Sequence, residues 1–141
     1  MDYRAAFQIS AAGMAAEKLR LDVTALNLAN MHAAGTSVDQ VYRPQRVVTQ
    51  TVSFGQQFGA MAGAAAGVQT AVVPQNVAPR MVYEPGHPYA NAKGMVAYPG
   101  VDNVTEMVTM STALRAYEAN VTAMNAARTM AARALDIGGQ Q

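Results

Sequence analysis

Apolar residues return at alternating steps of three and four near both ends of this chain, and that spacing limits the possible fold more than any other feature. Toward the C-terminus the series runs Met107, Met110, Leu114, Tyr117, Val121, Met124, Ala131 and Leu135, with Arg128 as its one interruption. At the N-terminus it runs Phe7, Ala11, Met14, Leu21, Ala25 and Leu28, broken at Lys18. Such steps keep one side of a helix against a partner along its whole length. The fold expected is mainly α with a small β region: two long terminal helices pairing as an antiparallel coiled coil, and a β-rich segment between them. The boundaries read as 1–35 for the N-terminal helix, 36–100 for the β-rich middle with a Gly/Ala loop at 55–67, and 101–141 for the C-terminal helix.

The first helix, Tyr3 to about Met31, carries a second apolar stripe of Ile9, Ala12, Ala16, Leu19, Val23 and Leu26. At about 100° per residue the two stripes lie roughly 150° apart around the axis. Ser10, Glu17, Arg20, Thr24 and Asn27 fill the remaining sector. A helix on the outside of a monomer shows one apolar face, so two opposed faces imply neighbours beyond a single partner helix. The predicted pairing seam sets Phe7, Met14, Leu21 and Leu28 against Met107, Leu114, Tyr117, Val121 and Met124. The small residues Ala113, Ala116, Ala123, Ala127 and Ala134 are then left for neighbouring molecules.

The second helix is predicted to begin after Pro99–Gly100, with Asn103 and Glu106 as an approximate capping box and Asp102 favouring the same end electrostatically. Gly138–Gly139 is a usual stop signal. Between the helices the period changes, and β-prone runs occur at Gln45–Phe54, Val68–Val73, Arg80–Tyr83 and Met95–Tyr98. Pro85–Gly86, Pro88 and Gly94 mark turns.

Composition narrows the function. Charged residues make up 13% of the chain, about half the usual share, and the net charge is +1, so little long-range repulsion keeps copies apart. From Val47 to Pro79 there is no charged residue at all, and Gly55, Gly59, Gly63 and Gly67 recur every fourth position. Glutamines and alanines there, with no Leu or Ile, favour a flexible loop over a membrane span. No cysteine is present, which removes disulfide and thiolate chemistry. Asp2, Arg4, Glu17, Lys18 and Arg20 interrupt the first twenty residues, so no cleavable secretory signal is read there. Basic residues are dispersed without aromatic interleaving, which gives no support for a nucleic-acid partner.

Catalytic, cofactor and metal sites have no candidates. His32 and His87 stand far apart without a ligand at metal spacing, the glycines match no P-loop or dinucleotide fingerprint, and no carboxylate pair stands out. Neither an enzyme nor a small-molecule substrate is expected.

Two stretches carry a family resemblance. Asn27-Leu28-Ala29-Asn30 is similar to the Asn-x-Ala-Asn signature of bacterial flagellar rod and hook proteins. The run Tyr83-Glu84-Pro85-Gly86-His87-Pro88 continues through Tyr98, Pro99, Glu106 and Met107 to Arg115, Tyr117, Glu118 and Asn120. It closely resembles proximal members of the flagellar basal-body rod family, and Tyr42 to Val48 is similar in position and character. The resemblance covers both ends and about two thirds of the chain. It differs at Met31–Thr36, where the family usually carries a Thr-rich stretch, and in the Gly/Ala loop.

The resemblance implies a non-enzymatic structural subunit of the flagellar basal body, exported by the flagellar type III apparatus without a cleaved signal. It implies helical polymerisation across the periplasm, with terminal helices pairing and packing around a central channel. Implied partners are copies of itself, other rod subunits, the base component that joins rod to export gate, and the export apparatus during secretion. The helix-pairing and assembly residues expected are Phe7, Met14, Leu21, Leu28, Met107, Met110, Leu114, Tyr117, Val121, Met124 and Leu135. The other class the residues allow is a monomeric helical adaptor, or an export-associated protein, that holds one partner helix in a groove.

Overall fold

The computed structural model describes residues 3–50 and 69–138, and the Gly/Ala loop at 55–67 lies outside them. Helix α1 spans Tyr3–Asn30 and helix α2 spans Asn103–Gly138. Between them lie strands β1 (Gln45–Gln50), β2 (Gln69–Pro74), β3 (Arg80–Tyr83) and β4 (Met95–Tyr98). These match the sequence expectation closely, although the part of the first β-prone run beyond Gln50 falls outside the described residues. The strands form two separate antiparallel hairpins, β1–β2 and β3–β4. Gln45 stands opposite Pro74 in the first, and Arg80 opposite Tyr98 in the second.

The helices run antiparallel. A Cβ added at Gly13 would sit 2.7 Å from the Asn120 carboxamide, so the α1 backbone there lies directly against the Asn120 side chain of α2. Fourteen residues further along α1, Asn27 accepts a hydrogen bond from Tyr42, whose hydroxyl feels the charge of Glu106. Glu106 lies fourteen residues before Asn120, so α1 advances as α2 retreats in the same step of about four turns.

The seam is not the one the apolar pattern predicts. On α2 the buried residues are Glu106, Ala113 and Ala127, and Asn120 continues the same seven-residue row. On α1 they are Ser10, Val23, Thr24 and Asn27, three of them from the sector read as polar. Phe7, Met14, Leu21 and Leu28 are half-buried, as are Met110, Tyr117, Val121 and Met124. Met107 and Leu114 are 58% and 48% exposed, and Leu135 is 76% exposed, so these three lie off the intramolecular seam. The reason is close approach. Glycine, serine and alanine let two backbones come together where Leu and Met would hold them apart. A charge is tolerated beside this seam because Arg20 Nη1 reaches both Glu17 carboxylate oxygens at 2.6 Å.

The start of α2 also differs by one residue. Asp102, not Asn103, is the cap: its Oδ2 accepts from the Thr105 amide at 3.1 Å and from the Thr105 hydroxyl. These bonds hold the Asp102 carboxyl below its ordinary pKa.

The buried hydrophobic residues are Val23, Val41, Val96, Ala97, Ala113 and Ala127. Among the described residues no Leu, Ile, Phe or Met is fully buried. A core of valines and alanines stabilises weakly, since burial is worth about 25 cal/mol per Å² of apolar surface.

Candidate assembly interface

Asn27 organises the junction of helix and sheet. It is 1% exposed, one of the two largest side chains to be fully buried. Its Nδ2 donates to the Gln45 carbonyl at 2.7 Å, and its Oδ1 accepts from the Gln45 amide and the Tyr42 hydroxyl, both at 2.9 Å. Both backbone groups of one strand residue are thus held by one side-chain amide. Asn27 occupies the place a neighbouring strand would take on the outer edge of β1. Only a carboxamide of this length offers the donor and the acceptor together; Asp lacks the donor and Leu lacks both. Burial and, after it, the Glu106 charge raise the Tyr42 pKa above its ordinary value.

The rest of the Asn-Leu-Ala-Asn element ends the helix. Leu28 is half-buried and Ala29 exposed, while Asn30 turns its Nδ2 back to the Leu26 carbonyl at 2.8 Å. The chain then crosses to the second hairpin, where the Gly35 amide donates to the Ala97 carbonyl at 3.0 Å.

The segment from Tyr83 to Pro99 builds the β3–β4 turn. The Glu84 amide bonds Gly94 O at 2.9 Å, the His87 amide bonds Glu84 O at 3.1 Å, and His87 Nδ1 accepts from the Tyr89 amide at 3.2 Å. Gly94 has φ 71°, and a Cβ there would lie 2.9 Å from the Tyr83 ring, so both conformation and space require glycine. Tyr98 donates to Glu84 Oε2 at 3.0 Å. That hydrogen bond is the main cause of its raised pKa, followed by burial and the Glu84 charge, with Arg80 opposing. The Arg80 guanidinium lies 5.9 Å from the Tyr98 ring centroid, and the His87 ring meets that ring edge-on at 6.5 Å. Pro99 is buried, whereas Tyr83, Pro85, Gly86 and Pro88 are exposed.

Exposed apolar side chains crowd the helices. On α1 they include Ile9 at 72% and Leu26; on α2 they include Val104, Met107, Val108, Leu114, Met130 and Leu135. Arg115 and Glu118 are exposed near the middle of α2, and Tyr117 and Asn120 are half-buried. The structure therefore separates the predicted site residues into two sets. Phe7, Met14, Leu21, Leu28, Met110, Tyr117, Val121 and Met124 are half-buried, and Met107, Leu114 and Leu135 are exposed. Sequence reasoning missed Gly13, Ala113 and Ala127 as seam residues, although the row of small residues on α2 was visible. It also missed the bonds from Asn27 to Tyr42 and Gln45, for which no local spacing is a signal.

Comparison with known proteins decides the family. The chain is 40% identical to the flagellar basal-body rod protein FlgC of Escherichia coli O157:H7, with 94% of this chain and 95% of that protein covered. It belongs to the FlgC family. The FlgC of Salmonella typhimurium is likewise 40% identical, over 94% of this chain and 95% of its own. That of Bacillus subtilis is 37% identical, over 92% and 94% respectively. Residues 92–137 also match a family described as flagellar basal body rod FlgEFG protein C-terminal. That match begins ahead of β4, so it takes in the last strand together with nearly all of α2, the helix that exposes more large apolar side chains than α1. Among the described residues no helix is long and apolar enough to cross a membrane.

Proposed function

We propose that this chain is a structural subunit of the proximal flagellar rod, exported by the flagellar type III apparatus without a cleaved signal. It polymerises helically through α1 and α2, and the assembly serves as periplasmic drive shaft and export channel. Its partners are copies of itself, other rod subunits, the base component that joins rod to export gate, and the export apparatus in transit. Its work is mechanical, and the residues that do it are those that pack.

One observation carries this reading. The helix pair keeps small and polar residues in its seam and turns Ile9, Met107, Leu114 and Leu135 outward. A free monomer gains nothing from that arrangement, whereas burying each such side chain between subunits is worth about 1.5–3 kcal/mol. Kinship with the FlgC family supports the same conclusion.

Leu114→Asp tests it. Because Leu114 is about half exposed, the purified variant should keep its helix content and unfold within about 0.5 kcal/mol of the parent, as surface changes do. Cells that carry it as their sole copy should lack rods and not swim. Basal bodies that contain the variant and support swimming would remove Leu114 from the assembly surface. A folded parent chain that stays monomeric while binding one isolated partner helix would favour the adaptor instead.

A further inference from the structure

Two strand edges have no neighbouring strand among the described residues. The Gln75 amide reaches Pro44 O at 2.7 Å, so Gln75, Val73 and Ala71 point their backbone groups toward β1. By the two-residue period of a strand, Thr70 and Val72 point theirs to the opposite edge. The Asn27 clasp reports the same alternation on β1, where Gln45 faces outward. In the second hairpin the Glu84 amide bonds Gly94 O, which sets Glu84 and Val82 inward and leaves Met81 and Tyr83 outward on β3. Gly35 closes the far edge of β4 through Ala97 O, and Asn27 closes the start of the β1 edge. Among the described residues the outer edges of β2 and β3 carry no strand partner.

These two edges do not meet within one molecule. Residues 75–79 join β2 to β3, a length that suits a hairpin loop and would produce a four-stranded meander. The connection is held away from that course. Gly100 lies against it so closely that a Cβ would be 2.5 Å from the Ala78 carbonyl oxygen. The same segment walls a cleft of about 390 Å³ with Val38, Tyr42 and Arg43 on the other side.

Open edges in soluble proteins are usually blunted by lysine, by bulges or by cover. Proline blunts an edge too, and on β2 only Pro74, at the very end of the strand, does so among the described residues; Gln69–Pro74 is uncharged, and so is all of Val47 to Pro79. Val72, Met81 and Tyr83 also expose their side chains. Arg80, the one charge on β3, is already placed over the Tyr98 ring, so no like charges oppose across a β2–β3 contact.

We infer that the outer edge of β2 in one copy pairs with the outer edge of β3 in the next copy of this chain. The inference rests on the rod reading and names one of its contacts. Each molecule carries both halves of the joint, Thr70 and Val72 on one edge and Met81 and Tyr83 on the other, so the sheet refused inside one molecule is completed between two. Because the two edges differ, the contact is head-to-tail and propagates along a helical assembly, whereas a self-complementary patch would stop at a dimer.

The cysteine-free sequence makes cross-linking a direct test. Full-length Val72→Cys and Met81→Cys are produced separately and together in cells lacking the parent gene, and purified basal bodies are oxidised. The mixture should give about tenfold more cross-linked dimer than either variant alone, since a disulfide forms only across a narrow range of Cα separations. Should either variant fail to incorporate, Thr70→Cys with Tyr83→Cys probes the same edges. Basal bodies that contain both variants without a dimer overturn the pairing and leave the rod reading standing. So do equal dimer yields from one variant alone, or cross-links to a different rod protein. Basal bodies that lack the parent chain altogether overturn the rod reading itself.

Discussion

Replacing Asn27 by alanine removes three hydrogen bonds at once from a site that is 1% exposed. The Gln45 carbonyl keeps a weak donor, Gln75 Nε2 at 3.4 Å, but the Gln45 amide and the Tyr42 hydroxyl lose their acceptor. A net hydrogen bond is worth about 1 kcal/mol, and a stranded buried donor costs about 1–3 kcal/mol, so Asn27→Ala should destabilise by about 3–4 kcal/mol. Against a typical total of about 5–15 kcal/mol, and with a core of valines and alanines, that is a large fraction. Asn27→Asp keeps the shape and the acceptor but sets a carboxylate against the Gln45 carbonyl and near Glu106, and should be no milder. The assay is denaturant unfolding together with amide exchange at Gln45, whose protection should collapse before that of mid-helix amides in α2. A loss under about 0.5 kcal/mol, within the range of ordinary surface changes, or Gln45 protection unchanged, would refute the clasp.

Further outcomes follow from the close approaches and the tyrosine. Gly13→Ala should gain the full helix-propensity benefit of about 1 kcal/mol only in an Asn120→Ala background, because its Cβ would otherwise lie 2.7 Å from the Asn120 amide; a double-mutant cycle by thermal unfolding measures the coupling. Gly100→Ala meets backbone rather than a movable side-chain end, 2.5 Å from the Ala78 carbonyl oxygen, and should cost about 1–3 kcal/mol as overpacking does, read by urea midpoint. For Tyr98 the folded pKa lies above its ordinary value of 10.0. Its contribution to stability is therefore complete below pH 10 and lost as pH rises through the folded value. Glu84→Gln should bring the Tyr98 titration, followed by ultraviolet absorbance, back toward the ordinary range.

The elements were legible because period and punctuation agreed. The change from helical spacing to β-branched runs at Gln45, the turn residues at Pro85–Gly86 and Gly94, and the Pro99–Gly100 break all mark real boundaries. The seam was not legible in the same way. A reading that follows hydrophobicity places Met107 and Leu114 inside, whereas close helix packing selects small side chains, here Gly13, Ala113 and Ala127. Asp102 and Asn103 are both cap formers, and only the position of the Asp102 oxygen relative to the Thr105 amide decides between them. The partners of Asn27 lie 15 and 18 residues away on non-helical backbone, so no periodicity announces them. The Asn-Leu-Ala-Asn resemblance flagged the residue but not its chemistry.

The clasp makes α1 and β1 a single lever. Turning α1 by one residue would swing the Asn27 amide through about 100° and tear it from Gln45, so any twist of that helix must drag the first hairpin with it or break three bonds to escape.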